Sequence, residues 1–124
     1  MQVTVSAKNT TLTPTLEQYI REKAEHLSHY FENITRIEVQ VEVATNRSQS
    51  HEAFRAEIMT HVPKKVLRAE QRASEMHEAF DLALPKMQKQ LEKYKEKLRR
   101  RDKGVLHRMK SIFGARNSEG SMEE

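Results

Sequence analysis

The chain has 124 residues, 36% of them hydrophobic and 32% charged, no cysteine, and a formal net charge of +4. That length suits one domain plus a tail, and the lack of cysteine excludes disulfides and thiolate chemistry. All three glycines (Gly104, Gly114 and Gly120) lie beyond residue 103, so no Gly-rich phosphate loop precedes them. No run is long and apolar enough to span a membrane.

Gln2 to Ala7 reads as a first strand, with Val3 and Val5 on one side. Because this alternation begins at once, no leader is expected and the predicted location is reducing and cytoplasmic. Thr13-Pro14 is a helix start, with Thr13 as cap and Pro14 at the first helical position. Leu16, Tyr19, Ile20, Ala24, Leu27, Tyr30 and Phe31 extend a helical apolar stripe to about residue 31. Ile37, Val39, Val41 and Val43 alternate with Glu38, Gln40 and Glu42, which predicts a strand with one buried and one wet face. Asn46 to Ser50 is loop chemistry. Phe54, Ala56 and Ile58 suggest a third strand, Pro63-Lys64-Lys65 a hairpin tip, and Leu67, Ala69 and Gln71 a fourth strand. Ser74 is a candidate cap for the next helix.

Met76 to Lys103 reads as one long helix with two stripes. Met76, Phe80, Leu84, Met87, Leu91, Tyr94 and Leu98 share an apolar face. Lys86, Lys89, Lys93, Lys97 and Arg100 fall within roughly 80° of one another on another face. Pro85 interrupts the backbone hydrogen bonding, at a cost of about 3 kcal/mol. The apolar stripe keeps its phase across it, so a kink is expected rather than two abutting helices. From Gly104, Val105, Leu106, Met109, Ile112 and Phe113 fit a short amphipathic helix, followed by a small, polar, acidic end expected to be disordered. The domain reading is therefore 1–103 folded and 104–124 flexible tail.

The order β-α-β-β-β-α predicts an α+β fold with a four-stranded sheet. Two antiparallel hairpins with both helices on the apolar face are the expected arrangement.

Charge is unevenly placed. Residues 86–103 hold nine Lys/Arg against three Asp/Glu, whereas residues 1–85 hold ten against twelve. A single-signed ridge beside an apolar stripe suits a phosphate backbone, with Lys95, Arg99 and Arg101 adding charge nearby. Catalysis is not indicated, and no cofactor, metal or small-molecule substrate is expected. His26 and His29, three apart, make at most half a metal site. Glu38 and Glu42 read as solvating groups on a strand.

The motifs carry a resemblance. Ser74-Glu75-Met76-His77-Glu78-Ala79-Phe80-Asp81, leading into Lys86-Met87-Gln88-Lys89-Gln90-Leu91-Glu92-Lys93-Tyr94-Lys95-Glu96-Lys97, resembles the ribosome hibernation-promoting factors, which include the ribosome-associated inhibitor A proteins. The family pattern is an acidic-Met-aromatic-x-Ala-Ile-Asp opening, then Lys-Leu-x-Arg-Gln-Leu-x-Lys-x-Lys-x-Lys. Met76, Ala79, Asp81, Lys86, Gln90, Leu91, Lys93, Lys95 and Lys97 are kept, with Lys89 for Arg, Phe80 for Ile and His77 for Tyr. Lys8-Asn9, Thr13, Lys23 and Tyr30-Phe31 also fit, so the likeness covers about residues 1–102.

The resemblance implies a fold similar to a double-stranded-RNA-binding domain. It implies binding to the small ribosomal subunit, in the channel for messenger and transfer RNA, and inhibition of translation under stress. It places Lys86, Lys89, Lys93, Lys95 and Lys97 on rRNA phosphates, with Lys23 and Lys8 contributing. Arg100 joins them from the ridge. Long members carry a second, dimerising domain. With 21 residues after Lys103, a short form is expected, monomeric when free. Two other readings fit the basic helix: a generic double-stranded-RNA-binding domain, and a module for an acidic protein or an anionic surface.

Overall fold

The computed structural model describes residues 1–43 and 53–113. The elements are β1 (Gln2–Lys8), α1 (Pro14–Glu25), a 3-10 turn (His26–His29), β2 (Arg36–Val43), β3 (Phe54–Val62), β4 (Lys65–Ala73) and α2 (Met76–Phe113). The predicted loop at 46–50 and the end of the predicted tail, 114–124, lie outside the described residues. The chain divides into two compact units, 1–92 and 93–124.

In the first unit the four strands form one sheet in the order β1-β2-β3-β4. The expected pair of antiparallel hairpins needs correcting on one side. β2-β3 and β3-β4 are antiparallel, but β1 and β2 are parallel, with Val3 opposite Ile37 and Val5 opposite Val39. The connection between them contains α1, and such a crossover returns the chain to the starting end of the sheet. An alternating pattern does not record strand direction, so the sequence could not distinguish the two.

α1 starts as predicted: the Thr13 side chain accepts from the Leu16 N–H at 3.1 Å, and Pro14 opens the helix. It ends earlier than predicted, at Glu25, because the chain tightens into the 3-10 turn. The Ser28 hydroxyl donates to the Glu25 carbonyl at 2.9 Å, and Leu27 stays fully buried. The helical spacing of apolar residues therefore continued past the α-helix itself. Asn9, just after β1, has φ 61°, a left-handed conformation that Asn tolerates.

α2 begins at Met76, and the Glu75 carbonyl accepts from the Ala79 N–H. Ser74 thus stands one position too early to be the cap, and its hydroxyl pairs with the Glu78 carboxylate at 3.3 Å. The helix continues through Pro85 and Gly104 to Phe113, so two abutting helices are excluded, and the segment predicted as a separate short helix is part of α2.

Both helices lie on one face of the sheet. The core combines Ile20, Ala24 and Leu27 with Ala79, Phe80, Ala83, Met87 and Leu91, over Ile37, Val39, Val41, Ala56, Ile58, Val62, Leu67 and Ala69. Burying each large aliphatic or aromatic side chain contributes about 1.5–3 kcal/mol.

One polar residue is sealed into this layer. Thr60 is fully buried in β3, between Ile37 and Leu67 in register, and its Oγ1 has no hydrogen-bond partner. An unsatisfied buried hydroxyl costs about 1–3 kcal/mol. Thr60→Val, of nearly the same shape, should raise stability by about 1 kcal/mol, read as a higher midpoint in urea or thermal unfolding.

Candidate nucleic-acid interface

The rotation of α2 in the first unit is set by its buried residues and by a contact on each flank. Ala79, Phe80, Ala83, Met87 and Leu91 are fully buried, and they recur at spacings that form one stripe. On the α1 side, the Tyr19 hydroxyl donates to Asp81 Oδ1 at 2.7 Å. His77 Nδ1 lies 3.2 Å from Asp81 Oδ2, its ring sits 4.7 Å from the Tyr19 ring, and Phe80 packs edge-on to Tyr19 at 6.2 Å. On the β4 side, Gln90 Nε2 donates to the Arg68 carbonyl. Pro85 lacks the N–H that the Asp81 carbonyl would accept one turn earlier, yet both Asp81 carboxylate oxygens have partners here.

With the stripe buried, Lys86 and Lys89 are left exposed, about 60° apart around the helix. Lys86 stands roughly opposite His77 in helical phase, on the side of β4. Its charge helps hold the Glu70 carboxyl below the usual carboxylate range. The larger cause is the hydrogen-bonded Arg55, and Arg72 adds to it.

In the second unit, Lys93, Lys95, Lys97 and Arg100 are exposed. Lys93, Lys97 and Arg100 lie within roughly 60° of each other, and Lys95 stands on the other side of the helix. Arg100 and Arg99 pair with Glu96 at 3.5 and 3.8 Å, local pairs of small energetic weight.

The remaining candidates stand elsewhere. Lys23 lies on α1 with its ammonium 5.7 Å from the Tyr19 ring centroid, on the α1 side of the helix pair. Lys8 ends β1 and is in register with Glu42, on the sheet face turned away from the helices. The structure therefore brings Lys86 and Lys89 together and places Lys23 and Lys8 on two other surfaces.

That outer sheet face holds a charge ladder that the sequence did not reveal. Arg55 pairs with Glu70 at 2.8 Å and with Glu42 and Glu57 at 3.4 Å each. Arg68 reaches Glu57 at 3.5 Å, and Glu38 takes Arg36 at 2.8 Å and His61 at 3.1 Å. The hydrogen bond that Arg55 donates to Glu70 and the surrounding carboxylates push the Arg55 guanidinium further above its usual range. Glu38 and Glu42, read as solvating groups, are thus ion-pair partners. Their signal was the register that aligns Glu42 with Arg55 and Arg55 with Arg72, which only strand pairing supplies. Toward β1 the same face is shallowly hollowed, lined by Gln2, Thr4, Ser6, Arg36, Glu38 and Met59.

His26 and His29 stack on each other at 5.5 Å, and among the described residues no three His, Cys, Asp or Glu side chains converge as metal ligands. No helix of the described residues is long and apolar enough to cross a membrane.

Residues 3–99 match the family described as "Sigma 54 modulation protein / S30EA ribosomal protein". The chain belongs to this family. A curated relative, the ribosome hibernation promotion factor of Staphylococcus aureus (strain COL), is 31% identical over 102 residues. That alignment takes in 81% of this chain and 52% of the relative, so the chain spans about half the relative's length. Two solved structures of similar fold are a ribosomal subunit interface protein from Coxiella burnetii and the N-terminal domain of Protein Y from Thermus thermophilus. The first has a TM-score of 0.67 at 18% identity, covering 77% of this chain and 99% of that one. The second has a TM-score of 0.64 at 21% identity, covering 76% and 99%. Both show the α+β fold of the family.

The Tyr19–Asp81 contact gives a pH signature. The hydrogen bond to Asp81, then burial, then the Asp81 charge raise the Tyr19 phenol above its ordinary value near 10. The folded state holds this proton more tightly than the unfolded chain, so the contribution is complete below pH 10 and is lost as pH rises through the folded pKa. Tyr19→Phe should cost about 1 kcal/mol near neutrality and flatten the alkaline limb of a stability-against-pH curve.

Proposed function

We propose that this chain is a ribosome hibernation factor that binds the small ribosomal subunit in the mRNA/tRNA channel. It inhibits translation under stress by occupying that space, with no chemistry of its own. The observation that carries this reading is the division of labour on α2: its apolar stripe is buried in the first unit while its lysines are exposed. Family membership supports the same reading, as does the name of the Staphylococcus aureus relative. The partner is rRNA in the small subunit and the whole ribosome, the protein acts in the cytoplasm, and it is a monomer when free.

Lys86, Lys89, Lys93, Lys97 and Arg100 contact rRNA phosphates and release counterions on binding. Lys95, Lys23 and Lys8 serve other walls of the channel. Phosphate contacts carry no sequence information, so the shape of the channel supplies the site specificity. Lysine ammonium groups suit this role, being compact, hydrated point charges on flexible stems.

Co-sedimentation with separated subunits and whole ribosomes over a salt series is the direct test. Migration with small subunits should weaken steeply with salt, with a log–log slope of roughly −4 for five phosphate contacts. Equal affinity for a plain RNA duplex would point instead to a generic double-stranded-RNA-binding domain. Absence from every ribosomal fraction at low salt would overturn the reading and leave an acidic protein or surface as partner. Lys86→Glu combined with Lys93→Glu should abolish co-sedimentation and leave the circular dichroism spectrum unchanged, since both side chains are exposed.

A further inference from the structure

The β3-β4 hairpin spends conformational energy to hold a lysine at its tip. Val62 pairs with Lys65, so the loop is the two residues Pro63 and Lys64. Proline fixes φ near −65°, and Lys64 has φ 69°. Negative then positive φ is the type II arrangement, whose second position favours Gly or Asn. Two-residue hairpins, moreover, favour the mirror-image turns. A lysine here carries a Cβ in the left-handed region, where glycine would bear no penalty. An observed outlier of this kind, exposed at a loop tip, points toward function.

The surroundings give the residue a purpose. From Ile58 to Ala69 there is no Asp or Glu, while His61, Lys64, Lys65 and Arg68 all fall within that stretch. Lys64 and Lys65 are exposed. Lys65 opens β4 three residues before Arg68, about 10 Å along the strand. Arg68 is the residue whose carbonyl is held by Gln90 of α2, next in sequence to the exposed Lys89. The hairpin tip therefore belongs to the β4 flank of the first unit, the flank on which Lys86 stands.

We infer that Lys64 is a further rRNA phosphate contact, from outside α2, delivered by a strained hairpin tip on the same flank as Lys86 and Lys89. The inference rests on the ribosome reading above. Gripping the backbone from a helix and from a hairpin fixes orientation as well as adding affinity, because the two elements stand at different places in the first unit.

The test is sedimentation with small subunits over a salt series for the whole chain and for Lys64→Gly and Lys64→Arg, with a thermal melt of each. Lys64→Gly should melt at or above the parent temperature, because the strain is relieved. It should bind several-fold more weakly, with the salt slope reduced by roughly 0.7–0.9, one phosphate contact. Lys64→Arg should retain the parent slope. If the parent binds and Lys64→Gly binds with the same affinity and slope, this inference fails while the ribosome reading stands. A lower melting temperature for Lys64→Gly, a loss that leaves the slope unchanged, or a loss that Lys64→Arg shares would also overturn it. If the parent itself binds no ribosomal particle, both fall together.

Discussion

Phe80, Met87 and Leu91 leave α2 no freedom to turn in the first unit. Each is fully buried, and rotating the helix by even a third of a turn would exchange them for Lys86 and Lys89. Taking a lysine ammonium out of water without a partner is far more costly than exposing a leucine. The apolar stripe therefore decides where the cations go. Tyr19 on one flank and Gln90 on the other reinforce the setting, through Asp81 and through the Arg68 carbonyl. Gln90 also occupies a backbone acceptor on an edge strand, as Arg21 does by donating to the Val3 carbonyl at 2.6 Å on the opposite edge. Side chains that cover such groups lower the tendency of sheet edges to pair with other chains.

Charge is sorted by residue type as well as by place. The outer sheet face uses arginine, and Arg55 holds Glu70 through two nitrogens at 2.8 and 3.1 Å. A planar fork matched to a carboxylate is a fixed pair. It also separates Glu57 and Glu70, which face each other directly across β3 and β4. α2 uses lysine for its basic residues between 86 and 97, and the sheet acids Glu38, Glu42, Glu57 and Glu70 are held by the sheet arginines. A nearly neutral sheet face and a cationic helix can thus coexist on one small domain.

The sequence by itself determined a good deal. It placed the start of α1 at Thr13-Pro14, because a capping hydroxyl followed by proline is a local signal. It placed β2 by strict alternation, the β3-β4 hairpin tip at Pro63-Lys64-Lys65, and the two stripes of α2 by their period. The spacing around Asp81, Lys86 and Gln90 was enough to indicate the family. All of these are written in residues a few positions apart, where helical and strand periods operate.

Tertiary structure decided the rest. It made β1 parallel to β2, since direction depends on where the crossover lands and not on alternation. It joined Tyr19 to Asp81 across 62 positions and aligned Glu42, Arg55 and Arg72 across three strands. It separated Lys8 and Lys23 from Lys86, although all three carry the same charge and fit the same family pattern. Residues distant in the chain meet only when a sheet register and a helix rotation are fixed, and both are set by the shared core, whose packing is a property of all the elements at once.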